Sequence, residues 1–332
     1  MDVIGLQIFA AAGGLYEHGP KLVDLIRRCG HDFGSFDSLT MPEPPKPGEF
    51  DPDGRYHAIR TDEWGTTWEY RIFGIWGHPI AWPLADAAKI ATYRPPPPPP
   101  VQGADFDKAR ADAAEHMKKW FLLAGTTSLF ERMFSLRPFE DVVADVYLDT
   151  PQINRLADLL AEHSAEHVRR ALALGADAVA VGDDFGTQQA PFFPPEVFRR
   201  FFKRRYEQIF EPIRQAGKKI FFHSCGQIAP ILEDLAEIGV SAVWPQLPIF
   251  DLPELARRCR RLRLAVQLHP DRGELMQRKG PADVRNYVLR LLDIFDTAGG
   301  GSWLYLEVDP GFPWANVRAL FDVAMELRGQ KG

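Results

Sequence analysis

The chain has 332 residues, 45% of them hydrophobic, enough to bury one large α/β barrel or two smaller domains. A net charge of −6 with no long basic block excludes the electrostatic footprint of a nucleic-acid or anionic-membrane partner and favours small-molecule chemistry. No apolar run is long enough to cross a bilayer and the N-terminus lacks a signal-peptide pattern, while three cysteines at wide spacings suit reduced thiols; a soluble cytoplasmic protein is expected.

Eight apolar, β-rich runs are expected as strands: 3–9, 32–36, 120–125, 176–182, 218–223, 240–244, 262–268 and 302–308. Continuous apolar runs of this kind are buried on both faces, as in a parallel sheet. The intervals at 20–29, 151–175, 194–217, 228–239, 251–259, 281–299 and 313–329 carry helical periodicity, and several open at Pro or Asp and close at Gly. Strand and helix in alternation predict a (β/α)8 TIM barrel spanning 1–332 as a single domain, with a doubly wound open sheet as the alternative. One segment breaks the cadence. Residues 40–103 pass from a Pro-rich stretch through an aromatic-rich one, with Trp64, Trp68, Tyr70, Phe73, Trp76 and Trp82, to six prolines at 95–100. One or two β-hairpins and a polyproline spacer are expected, as an excursion or lid. Its aromatic residues either roof the barrel mouth or, more plainly, pack on the barrel wall.

Active sites of such barrels lie at the C-terminal ends of the strands. Those ends are polar here. They carry Asp183, Asp184, Gln188 and Gln189 after the run 176–182, His223 and Cys225 after 218–223, and Gln246 after 240–244. His269, Asp271 and Arg272 follow 262–268, and Glu307 and Asp309 close the last run. Asp183, Asp184, Gln188, His269, Asp271 and Arg272 are the candidate catalytic residues, in acid/base or substrate-orienting roles. Adjacent residues leaving a strand face opposite ways, so one of Asp183 and Asp184 faces the axis, and Asp183 is the expected one; the other would cap a helix or hold a histidine. His223 and Cys225, two apart, point to the same side and can converge on one ion. Zn²⁺ accepts both donors, with Glu307 as a third ligand and Gln246 or Asp309 as a fourth. The plain alternative is a buried cysteine beside a hydrogen-bonded histidine.

The runs "LFERMFSLRPFEDVVADV" (129–146), "GDDFGTQQAPFFPPEVFRRFFKRRYEQIFEPIRQAGKKIFFHSCGQIAPILEDLAEIGVSAVWPQ" (182–246) and "HPDRGELMQRKGPADV" (269–284) resemble the uroporphyrinogen decarboxylase superfamily, whose fold is a (β/α)8 barrel. The stretch "LQIFAAAGG" has no arginine where the porphyrinogen decarboxylases hold their substrate's carboxylates. The His-x-Cys pair instead looks like that of the zinc-dependent, corrinoid-linked methyltransferases of the superfamily. Those enzymes take a further cysteine near the last strand, where this chain has "LYLEVDPG" with Glu307 close by. The resemblance implies a zinc-dependent methyltransferase that moves a methyl group between a corrinoid (methylcobalamin) on a partner protein and a small-molecule thiol or a methoxylated or methylated compound. Two alternatives stand beside it: a metal-independent decarboxylase anchored by Arg272, Arg132 or Arg137, and a ligand-binding barrel without catalysis. A monomer or homodimer is expected.

Overall fold

The structure is a computed structural model that describes residues 5–34 and 39–329. Ten strands are present among the described residues. They are β1 (Leu6–Ala10), β2 (Ala58–Thr61), β3 (Thr67–Tyr70), β4 (His78–Ala81), β5 (Leu123–Gly125), β6 (Ala178–Gly182), β7 (Lys219–Ser224), β8 (Ala242–Pro245), β9 (Ala265–Leu268) and β10 (Ser302–Val308). Seven form one parallel, curled sheet in the order β1-β10-β9-β8-β7-β6-β5, a TIM-barrel-like α/β fold with helices around it. Each crossover spans a helix, as a parallel pair requires.

The expected strand at 32–36 is the one that differs. Residues 35–38 lie outside the described residues, and 31–34 form only a short bridge between His31 and Gly34. Asp32 nevertheless fills the gap between the sheet edges, its N–H donating to Leu6 O at 2.9 Å and its carbonyl accepting from Phe121 N at 2.9 Å. Its carboxylate also accepts from Leu6 N at 2.7 Å and pairs with Arg328. Asp32 thus ties the two edges of the sheet together through both its side chain and its backbone.

The expected hairpins within 40–103 are two in succession, forming the three-stranded antiparallel sheet β2-β3-β4. It is fastened at both ends of the barrel mouth. Thr66 Oγ1 donates to Ser135 O at 2.8 Å and Trp82 Nε1 to Phe134 O at 3.1 Å, while the Phe73 ring packs on Tyr16 at 5.2 Å. Of the aromatic residues Trp64 is buried, whereas Trp76 is 89% exposed. The prolines at 95–100 form neither helix nor strand, and Pro96 O faces His163 Nε2 at 3.1 Å on the helix Pro151–Ala173. None of the helices among the described residues is long and apolar enough to cross a membrane.

Strand alternation divides the barrel side chains into two sets. Phe222, Val243, Val266, Leu304 and Leu306 face outward under the helices and are buried. Phe221 and Trp303, on strands that are not neighbours, meet at 5.4 Å across the interior, so their set faces the axis. Behind β6 the outer layer is a phenylalanine block. Phe130 stacks on Phe185 at 5.5 Å and meets Phe193 at 5.1 Å and Phe202 at 5.6 Å, all four essentially sealed from water. Each ring contributes about 1.5–3 kcal/mol by its burial, and the block sets the position of the β6 exit loop. Phe202→Ala is expected to cost about 3–5 kcal/mol, read as a lower denaturant midpoint at unchanged slope; a loss under about 1 kcal/mol would show that this block does not anchor the loop.

Candidate functional site

His223 is the last inward-facing residue of β7, in register with Gly182 of β6 and Trp244 of β8. Gly182 has no side chain to fill that row, which leaves the imidazole room. The next inward row lies just past the strand ends and holds Asp184, Cys225 and Gln246. Two glycines make this row tight: a Cβ on Gly226, which has φ +78°, would fall 1.9 Å from Gly186 O, and one on Gly186 would fall 2.6 Å from Gln227 N. The exit loops of β6 and β7 therefore touch backbone to backbone, with Gln227 N donating to Thr187 O at 2.8 Å.

That approach brings Asp184, His223 and Cys225 together, one ligand atom of each lying within 4.8 Å of the others. The His223 Nδ1–H donates to Trp244 O at 2.9 Å, which fixes the tautomer and leaves the Nε2 lone pair inward. Nε2 lies 3.6 Å from Cys225 Sγ and 3.5 Å from Asp184 Oδ1. Burial holds the imidazole below its ordinary pKa and therefore neutral, against the pull of Asp184. Asp184 Oδ1 also accepts the Cys225 N–H at 2.6 Å and so aims the thiol. Burial and the adjacent Asp184 push that thiol up to about 12, so without a cation it stays protonated. Cys29 and Cys259 are buried in the apolar core.

The remaining candidates divide by role. Asp183, expected to face the axis, is fully buried and turned the other way: its carboxylate accepts from the N–H groups of Leu129, Phe130 and Glu131 at 2.7, 2.8 and 2.6 Å and from the Tyr206 hydroxyl. It caps the helix Phe130–Leu136, a role suited to an anion at a helix start. The adjacent Asp184 is the one on the axis. Gln188 is exposed in a turn closed by Thr187 N to Ala190 O at 2.8 Å, with Gln189 N bonded to Thr187 Oγ1. His269 is buried, with its two ring nitrogens 3.0 Å from the carbonyls of Pro270 and Pro245. Asp271 caps the helix Glu274–Arg278 through Gly273 N and Leu275 N. Gln246 accepts from Gly226 N at 3.0 Å and so holds the glycine turn. Glu307, expected beside His223 and Cys225, stands with Arg272, whose Nε lies 3.3 Å from Oε2, and is outside the group of three. Arg272 itself bonds Asp309 through Nε at 2.7 Å. Burial raises Glu307 to about 7.

Four residues at the mouth were not among the sequence candidates. Trp244 packs on His223 with ring centroids 4.0 Å apart, Tyr305 lies 4.9 Å from Trp244, and Phe9 is half exposed at the rim. Their inward parity on strands was the available signal. The fourth, Glu131, begins the helix after β5 and is raised to about 9, first by burial and then by Asp183 and Asp184. Since Asp183 has four donors that favour its charged form, the shared proton resides on Glu131.

Residues 80–327 match the uroporphyrinogen decarboxylase (URO-D) family. The chain belongs to that family. Among solved structures it is similar to a methyltransferase from Methanosarcina mazei, with 14% identity and a TM-score of 0.63 over 98% of this chain and 94% of that one, which shows a shared fold. A looser likeness, with a TM-score of 0.45 and 10% identity over 85% of this chain and 76% of the other, is to a B12-independent methionine synthase from Shewanella sp. in complex with selenomethionine. No curated protein matches the sequence significantly.

A proton held by the folded state to about pH 9 on Glu131, against an ordinary value of 4.5, makes stability fall as pH rises through that window, because the unfolded chain releases the proton first. In chelator-treated protein, Glu131→Gln should flatten this loss, so that the melting temperature falls less between pH 6 and pH 9 than in the wild type. Equal falls in both proteins would place the proton elsewhere.

Proposed function

We propose that this protein is a methyltransferase that moves a methyl group between a corrinoid, carried by a partner protein, and a small-molecule thiol or a methoxylated or methylated compound. The observation that carries this reading is the convergence of the His223, Cys225 and Asp184 donors at the barrel mouth. An N/S/O set of three partly exposed side chains fits zinc in its catalytic form, three protein ligands and a free fourth position. The donors are also prepared for a cation, with the His223 lone pair inward and the Cys225 thiol held protonated by burial and by Asp184 more than Arg272 draws it down. Zinc bound there would act as a Lewis acid that keeps a substrate thiol or other acceptor in its nucleophilic form near neutral pH.

The chain's own residues supply the rest. Trp244 holds the His223 ring from one side by its carbonyl and from the other by its indole, so the imidazole cannot turn. Asp184 Oδ1 positions Cys225 through its N–H and can accept the thiol proton. Glu131 keeps a proton at neutral pH within the field of Asp184, and so can return one to a leaving group at the mouth. The carboxylates of Asp184, Glu307 and Asp309 at the mouth disfavour a polyanionic substrate.

The three cations that a decarboxylase would need are engaged. Arg272 bonds Asp309, Arg137 bonds Asp145 and the Leu84 and Ala85 carbonyls, and Arg132 lies over the Trp64 ring at 4.4 Å and 3.9 Å from Asp62. Freeing any one of them would leave a half-buried carboxylate or carbonyl unpaired.

Protein purified under reducing, chelator-free conditions should hold about one zinc per chain. His223→Ala and Cys225→Ser should each lose it, Asp184→Ala should bind it about 10–100-fold more weakly, and all three should lose thiol-dependent demethylation of methylcobalamin. Metal-free wild type, or full zinc retention in the His223 and Cys225 variants, would overturn the reading.

A further inference from the structure

The zinc reading leaves one carboxylate at the mouth without a use. Glu307 is 4% exposed, and none of the described residues donates a hydrogen bond to its carboxylate, Oε2 being sealed without a partner. Arg272 lies 3.3 Å from Oε2, yet its Nε–H is spent on Asp309 at 2.7 Å and its Nη2 also meets Asp309, at 2.5 Å. One guanidinium thus faces two carboxylates, and Glu307 is the one left without a hydrogen bond. A carboxylate buried without donors costs free energy unless something that binds beside it supplies charge or donors.

The walls around Glu307 are aromatic. Phe9 is its register partner across the β1/β10 ladder, so the two side chains stand side by side on the inner face, and the Phe9 ring is 49% exposed to the mouth. Tyr305, two residues before Glu307 on the same face, meets Trp244 at 4.9 Å, and Trp244 reaches His223 at 4.0 Å. Rings attract an organic cation through their faces without needing a hydrogen on it, and a carboxylate among them neutralises its charge. An anionic ligand would meet the uncompensated Glu307, and a neutral apolar one would leave it buried and unpaired.

We propose that Phe9, Trp244, Tyr305 and Glu307 form a subsite for an organic ammonium, so that the small-molecule substrate is a methylated amine or carries a quaternary or tertiary ammonium group. The substrate class rests on the methyltransferase reading above; the subsite itself does not need the metal. The subsite lies one aromatic ring away from the group of three donors, which places the ammonium beside the proposed zinc and not on it.

Calorimetric titration of the full-length protein with choline and with its neutral isostere 3,3-dimethylbutan-1-ol tests this directly. Choline is expected to bind about tenfold or more tightly than the isostere. Glu307→Gln should remove that preference, and Phe9→Leu, at a half-exposed position, should weaken choline binding several-fold. Equal affinity for the two probes in the wild type would overturn the proposal even if the Glu307 variant failed to fold, and an unchanged preference in a folded Glu307→Gln would do the same. Repeating the titration on His223→Ala separates the two readings: choline preference retained there supports the ammonium subsite whatever the zinc content, and preference lost with the metal would show that the cation was recognised through the metal group and overturn the subsite.

Discussion

A strand in a curled parallel sheet shows every second side chain to the axis, and the register between neighbouring strands decides which of those residues stand at the same height. In this chain the register sets Gly182, His223 and Trp244 in one row and, just beyond, Asp184, Cys225 and Gln246 in the next. A one-residue slip of β7 would turn the imidazole and the thiol outward together under the helices. What prevents the slip is largely apolar: Phe222 packs on Tyr206 at 5.5 Å on the outer face, and the Gly186–Gly226 approach admits no other side chain. The chemistry at the mouth is thus a consequence of how the outer layer packs.

The electrostatics follow from the same arrangement. Asp183 and Asp184 leave β6 in opposite directions, so one carboxylate is consumed by four donors at a helix start while its neighbour faces an imidazole and a thiol. Glu131, carried on the helix that Asp183 caps, adds a third acid. Glu131 keeps its proton, but the single guanidinium of Arg272 faces both Asp309 and Glu307 while Asp184 stands beside a neutral imidazole. Such an imbalance is costly in a protein of only marginal stability, and it suits a site that receives a metal ion and a cationic ligand.

Much of this was legible in the sequence. The continuous apolar runs gave seven of the barrel strands, and the His-x-Cys spacing gave two of the three converging donors, because both depend on local periodicity. The third donor was harder to see. Asp183 and Asp184 are indistinguishable by composition, and which of them faces inward depends on where β6 ends and on the demand for a cap from a helix more than fifty residues upstream, a tertiary fact. Glu307 looked like a ligand because it ends an inward-facing strand, but Arg272, from the loop after β9, holds it apart. The run at 32–36 was expected as a strand on its two phenylalanines, and of its described part Asp32 bonds Leu6 and Arg328 through its side chain. Trp244 and Tyr305 carried no signal of their own beyond their place in the expected strands 240–244 and 302–308.

The account rests on three side chains from two adjacent strand ends acting together on one metal ion. X-ray absorption at the zinc edge of the loaded wild-type protein measures that most directly. A single sulfur ligand at about 2.3 Å and nitrogen or oxygen ligands at about 2.0–2.2 Å are predicted. A shell without sulfur in the wild type, or one with two or more sulfurs, would contradict it.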